Sequence, residues 1–408
     1  MSWLYTFGIH LFSFVLWLVS PFNEKARLLR EGRKSVLEKL KELNGDSVVW
    51  VHCASLGEFE QGRPVIEALK SKHPGKKILL TFFSPSGYEV RKNYDQADVV
   101  CYLPADTPRN ARWFVKLANP EVAIFIKYEF WPNFFRSLRQ SSVPVYSASS
   151  IFRKDQIFFK WYGSWFRKTL SMVRKFYVQD KESGELLDSI GINAYKVVGD
   201  TRFDRVTSIV NSARDVLLAE LFAAGSEFVI VAGSTWPADE DILIQYINQT
   251  PEHVKLIIAP HEVHESHVQQ IVSKLSVSFF RYTEGEKADS SSAKVMIVDT
   301  IGLLSAIYRY GHVAYIGGGF GKGIHNTLEA ATYGIPVLFG PRYHKFKEAK
   351  DLVARNGGFS IEGYKQFYPL VEKIRNDFQK RKEYGEAAGE YVSSMCGATA
   401  VIMKEVFS

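Results

Sequence analysis

Two glutamates occupy the same kind of place in this sequence. Glu58 follows the apolar run Val48-Val49-Trp50-Val51-His52-Cys53, after the small-residue turn Ala54-Ser55-Leu56-Gly57. Glu129 lies in Lys127-Tyr128-Glu129-Phe130-Trp131-Pro132-Asn133, directly after the run from Glu121 to Ile126. A carboxylate between a strand and a helix can take a proton from a reacting hydroxyl as a general base. It can equally sit in the favourable field at a helix N-terminus. Spacing alone leaves Glu58 balanced between the two. The repetition at two strand ends is more suggestive than either acid alone, with two separate helix-start acids as the other reading.

A second group of residues suits an anion. Tyr315 to Pro341 reads as a strand running into Gly317-Gly318-Gly319, then Gly321, Lys322 and Gly323, then a helix from about Asn326. Clustered glycines bring backbone N–H groups close to a phosphate, and a helix N-terminus adds a favourable dipole. The spacing is neither Walker A nor G-x-G-x-x-G, which sets aside a P-loop ATPase and an ordinary dinucleotide enzyme. Asn326 and Glu329 are three apart: they form a capping pair, or Glu329 accepts from a ribose. In Val231 to Pro237, Gly233, Ser234 and Thr235 offer hydroxyls to a phosphate or cap the helix near Pro237. His261, His264 and His267 recur every three residues without H-E-x-x-H spacing, so Pro260 and His261 are expected in a loop at a nucleotide base rather than at zinc. Arg63 is a candidate contact for an acceptor or donor anion, or an exposed helix arginine.

Around these residues the chain alternates apolar runs with amphipathic stretches. Runs at Val48, Lys77, Asp98, Glu121 and Val143 make one series, and runs at Phe228, Val254, Lys294, His312 and Ile335 a second. Continuous apolar strands alternating with helices predict parallel sheets covered on both faces. At 408 residues two domains are expected, with the boundary between Val198 and Glu227. Ligands of such sheets bind beyond the carboxyl ends of the strands, so a cleft between facing domains is the expected place for chemistry. The loop Glu284 to Lys294 is expected to be exposed.

Trp3 to Phe22 contains no Asp, Glu, Lys or Arg and is succeeded by Lys25, Arg27, Arg30, Arg33 and Lys34. Its length suits a bilayer helix, and the basic flank keeps the bulk of the protein cytoplasmic. It lacks a basic n-region and an A-x-A site, which disfavours a removable signal peptide. A membrane anchor is expected, spanning or interfacial. Ile157 to Tyr177 interleaves aromatics with Lys160, Arg167, Lys168, Arg174 and Lys175, predicting an amphipathic face for lipid headgroups or for the core. The net charge of +7 suits an acidic partner. No nucleic-acid module accompanies it. Three scattered cysteines, Cys53, Cys101 and Cys396, argue against a disulfide framework or thiolate zinc site.

The blocks from Ser55 to Leu69, Tyr128 to Phe134, Val198 to Asp204, Ala232 to Pro237, Asp299 to Tyr308 and Gly317 to Pro341 together resemble the Kdo transferases, in the same order. These move 3-deoxy-D-manno-octulosonic acid (Kdo) in lipopolysaccharide synthesis. The resemblance implies an α/β fold of GT-B type, two Rossmann-like domains facing a cleft, behind an N-terminal hydrophobic anchor helix. It implies an anchor over 1–24, an acceptor domain over 25–205 and a donor domain over 206–408, the last helix packing back on the first domain. CMP-Kdo, a lipid A precursor and inner-membrane lipids are the implied partners, with no nucleic acid, cofactor or catalytic metal. The implied place is the cytoplasmic face of the inner membrane, and the implied reaction inverts the anomeric centre. Glu58 then matches the proposed base, Glu129 a second catalytic glutamate. Gly233, Ser234, Pro260, His261, Gly321, Gly323, Asn326 and Glu329 fall in the CMP-Kdo site. Lys127, Trp236 and the segment Ala259-Pro260-His261-Glu262-Val263-His264 depart from the family pattern, which puts the basic contact in that segment in doubt. The alternatives are another nucleotide-sugar GT-B enzyme, including an epimerase, or a membrane-tethered nucleotide-binding protein without catalysis.

Overall fold

The computed structural model describes residues 2–43, 47–285 and 292–408. Most of the loop read from sequence at Glu284 to Lys294 therefore lies outside the described residues. The chain divides into two compact units, Met1–Arg205 with Cys396–Ser408, and Val206–Met395.

In the first unit seven strands form one sheet: β1 Val48–Cys53, β2 Lys77–Phe82, β3 Val99–Tyr102, β4 Pro120–Ile126, β5 Val145–Ser150, β6 Lys175–Val178 and β7 Tyr195–Val197. Their order is β3-β2-β1-β4-β5-β6-β7, with every pairing parallel. All six residues of β1 are buried, as expected where helices cover both faces of a parallel sheet. Trp50 anchors the core, with Phe114, Phe125 and Phe134 rings 4.9, 5.1 and 5.7 Å from its own. The helix Ala398–Phe407 completes this unit, adding Ile402 and Met403 to the same core.

The second unit repeats the plan with β8 Phe228–Thr235, β9 Val254–Pro260, β10 Phe279–Arg281, β11 Val295–Ile297, β12 Val313–Ile316, β13 Val337–Phe339 and β14 Gly358–Ser360. Its order is β10-β11-β9-β8-β12-β13-β14, again parallel. In each sheet the chain starts at a central strand, fills one side, with β11 inserting between β9 and the edge strand β10 in the second, then crosses to the other side of that strand. The reversals lie between β1 and β4 and between β8 and β12. Such switch points open a crevice at the strand ends, where ligands of doubly wound sheets bind.

Two features differ from expectation. Ile157 to Tyr177 is not one amphipathic helix: a short turn at Ile157–Phe159 and a helix Ser164–Leu170 lead into β6. Its aromatics divide, Phe176 and Tyr177 into the core and Trp161 out to solvent at 89% exposure. The helix expected from Asn326 is a single turn, Leu328–Ala331.

The apolar N-terminal run forms the helix Ser2–Val19, the one described helix long and apolar enough to cross a membrane by length and composition. One flank touches its own unit. The Tyr5 ring lies 5.4 Å from Trp165, and Phe12 lies 6.3 Å from Phe83. Those two positions are seven apart, hence on one side of a helix. Trp3, Leu4, Phe7, Leu11, Phe14 and Leu18 remain exposed.

Candidate active site

Glu58 sits at the third position of the helix Leu56–Lys72, whose N-cap Ser55 makes no side-chain cap. Its Oε2 instead accepts from the Ala54 N–H at 2.6 Å, one residue before the N-cap. This carboxylate is only 6% exposed. Burial pushes its pKa up to about 7; the nearby Glu129 charge adds to the rise, and the Ala54 N–H and Lys127 oppose it. The helix-start contact and the raised proton affinity are two properties of one buried side chain.

Glu129 follows β4, across the switch point from Glu58. Its backbone turn begins at Lys127, which adopts a left-handed φ of 60°. The Glu129 carboxylate lies 3.8 Å from Nε2 of the fully buried His52. Trp131 Nε1 donates to that same nitrogen at 3.3 Å. His52 therefore carries its proton on Nδ1, which faces Thr81 Oγ1 at 2.8 Å. Trp50 donates to the same hydroxyl at 2.8 Å. His52 and Trp131 carry no signal of this role in the sequence; a histidine inside an apolar strand reads as core until its partners are known.

Arg63 is committed elsewhere. It pairs with Glu67 at 2.7 Å and lies over the Tyr94 ring, which favours the duller account of a helix arginine. The block Val198 to Asp204 works as a tie: Asp200 accepts from Gln61 at 3.0 Å and Thr201 donates to the Gln61 carbonyl.

In the second unit the switch point brings together the end of β8 and the loop after β12. Ser234 adopts φ 53°, and the β8–β9 register slips between Gly233 and Thr235. A bulge at a strand end re-aims its side chain. Gly317 must be glycine because a Cβ there would lie 2.2 Å from the Ser234 carbonyl oxygen. Gly318 has φ +90°, and its N–H donates to Asp239 at 2.9 Å. Asp239 is buried, accepts also from Tyr315 and from the Trp236 N–H, and burial raises its pKa. It thus joins the start of the helix Pro237–Gln249 to the glycine turn, a role with no local sequence signal.

The Gly321 and Gly323 amides both donate to the Gly318 carbonyl, closing the turn on itself. Asn326 accepts from the Leu328 N–H and donates to Glu329, whose other oxygen accepts from Ser305 at 2.5 Å. The two side chains therefore bond each other rather than each other's backbone, and the expected capping box is not formed: the N-cap is Thr327, which makes no side-chain cap. Pro260 ends β9, and His261 stacks between Trp236 and His325, ring centroids 4.9 and 4.4 Å away. Trp236 Nε1 donates to His325 Nε2 at 3.1 Å. Burial and then His261 push the His325 pKa down. The three histidines of the segment do not converge: His267 is buried against Glu240 and the Glu262 carbonyl, and His264 pairs with Glu262. Among the described residues no cluster of three His, Cys, Asp or Glu is arranged to hold a metal.

Two doubly wound parallel-sheet units in series make up a fold of GT-B type. Solved UDP-N-acetylglucosamine 2-epimerases share it. The protein from Neisseria meningitidis has a TM-score of 0.55 at 14% identity, covering 87% of this chain and 99% of that one. Another has 0.57 at 13%, covering 89% and 96%. At such identities the likeness concerns the fold.

Sequence relatives decide the family. The family model described as 3-deoxy-D-manno-octulosonic-acid transferase matches residues 25–205. The transferase of that name from Aquifex aeolicus is 30% identical over 357 residues, 85% of this chain and 90% of that protein. The one from Bordetella pertussis is 27% identical over 372 residues, 86% and 85% respectively. The chain belongs to the Kdo transferase family and is a glycosyltransferase.

Proposed function

We propose that this chain moves Kdo from CMP-Kdo to a hydroxyl of a lipid A precursor, inverting the anomeric centre. Glu58 takes the proton of the attacking hydroxyl as its oxygen bonds to the anomeric carbon. The bond from that carbon to the phosphate oxygen breaks, and CMP leaves with the electron pair. The observation that carries this reading is the buried Glu58 carboxylate at a sheet switch point, with a pKa near 7. A base so placed is half ionised at neutral pH and needs little driving force to take a proton.

Glu129 lies beside it and keeps its proton affinity high. Residues 25–205 serve the acceptor and 206–395 the donor. There Ser234 and the glycine turn face the phosphate, Asn326 and Glu329 the ribose, and Pro260 and His261 the base. Developing charge on the leaving phosphate is met by the Ser234 hydroxyl, while the Gly318, Gly321 and Gly323 amides are spent in holding the turn in shape. The Ser2–Val19 helix seats the enzyme on the cytoplasmic face of the inner membrane. One flank contacts the first unit and the rest is apolar and exposed, which favours a helix lying in the interface.

Incubation with CMP-Kdo and a lipid A precursor, then mass analysis of the lipid, tests the reaction. A gain of one or more Kdo units is expected. E58Q should abolish the product while CMP-Kdo still binds; near-normal turnover would remove Glu58 from the base role.

A further inference from the structure

Asp106 has no part in the reaction as drawn, yet it is 1% exposed and burial pushes its pKa up to about 6. A carboxylate is costly to bury, and its hydrogen bonds, with the charge of Arg136, offset that cost. Its partners come from two separate elements. Oδ1 accepts from Phe134 N–H at 2.9 Å and Oδ2 from Asn133 N–H at 3.1 Å. These are the third and second residues of the helix Pro132–Gln140. Oδ2 also accepts from the Tyr5 hydroxyl at 2.9 Å, and Tyr5 belongs to the Ser2–Val19 helix.

The helix Pro132–Gln140 begins in an unusual way. Its N-cap is Trp131, which has no side-chain acceptor and makes no cap. A serine or aspartate there would satisfy the first amides locally. Trp131 is instead spent on His52, beside the Glu129 carboxylate. The capping duty has passed to Asp106, 27 residues earlier in the chain, and the same carboxylate holds the apolar helix.

We infer that Asp106 is a positioning residue that latches the membrane-seated helix, through Tyr5, to the segment carrying Glu129 and Trp131. Seating of the Ser2–Val19 helix on lipid then sets where that segment begins. The Glu129 carboxylate reaches its working position when the latch is closed.

The test compares Y5F, D106N and the double variant with the unaltered chain, measuring transfer on anionic phospholipid vesicles holding the acceptor. Y5F keeps both helix-cap bonds and removes only the latch. It is expected to lower kcat by about tenfold with the KM for CMP-Kdo and the unfolding midpoint unchanged. D106N, which disturbs the helix cap as well, should lower kcat further, and Y5F should add nothing in its background, because the Tyr5 hydroxyl acts only through the side chain at 106. Full kcat in Y5F, or an undiminished Y5F effect on top of D106N, would overturn the latch. The inference rests on Glu129 belonging to the reacting centre. E129Q with full turnover would fail that assignment, whereas an inactive E129Q beside fully active Y5F and D106N would fail the latch alone.

Discussion

A carboxylate buried away from water weakens the fold that holds it once it is ionised. For Glu58 the pKa stands at about 7 in the folded chain against 4.5 for the free side chain. The folded state therefore binds the proton more tightly than the unfolded state, and its stability falls as pH rises from 4.5 through 7. E58Q removes that penalty while its amide oxygen can still accept from Ala54. It should raise stability above pH 7 by on the order of 1–3 kcal/mol, with the difference shrinking to nothing below the unfolded pKa. Thermal unfolding of both chains across that range checks it, and an E58Q chain that is less stable at pH 8 would contradict the burial argument. Glu129 adds to the rise, so E129Q should move the ascending limb of residual turnover to lower pH. A limb that moves to higher pH would mean the two carboxylates do not repel each other. The strand-end positions of Glu58 and Glu129 were both legible in the sequence, because each comes within a short turn of an apolar run. What spacing could not supply was the relation between them. They are 71 positions apart and meet because β4 returns to the side of β1 opposite β2.

Elements in this chain are often finished by residues from elsewhere. The helix Pro237–Gln249 starts at Trp236, which cannot accept, and Asp239 reaches back to the Trp236 N–H while also holding Tyr315 and Gly318. D239A would orphan the Gly318 amide and the Tyr315 hydroxyl together. It should raise the KM for CMP-Kdo by about tenfold or more, with kcat less affected, because the glycine turn would lose its fixed start. An unchanged donor KM would show that the turn is set by Gly317 and its neighbours alone. The strands Val48–Cys53, Lys77–Phe82 and Phe228–Thr235 were readable as apolar runs, and the contact between Asn326 and Glu329 was readable from their spacing of three. Ile157 to Tyr177 misleads as a single helix because β6 comes closely after a short one, and aromatics suit a strand as well as a helix face. Asp106 stayed invisible as a cap for a different reason. Local patterns report caps within a few residues, and Asp106 caps across 27.

At the scale of the whole molecule, the chain leaves the first unit at Arg205 and re-enters it at Cys396. Ile402, fully buried, supplies part of that unit's core from the far side of the excursion. I402A should cost about 2–5 kcal/mol, and calorimetry should place the loss in the transition of the first unit while ligand-induced stabilisation of the second stays intact. A loss confined to the second unit's transition would refute the division of the core. The return has an outcome in time as well as in energy. On the ribosome the first unit is made first, yet its hydrophobic face against Ala398–Phe407 stays uncovered until nearly two hundred further residues have been translated. During that interval the nascent chain carries a bare apolar strip as well as an apolar leading helix, so a premature stop within 206–395 would release a sticky, incomplete product rather than a working half.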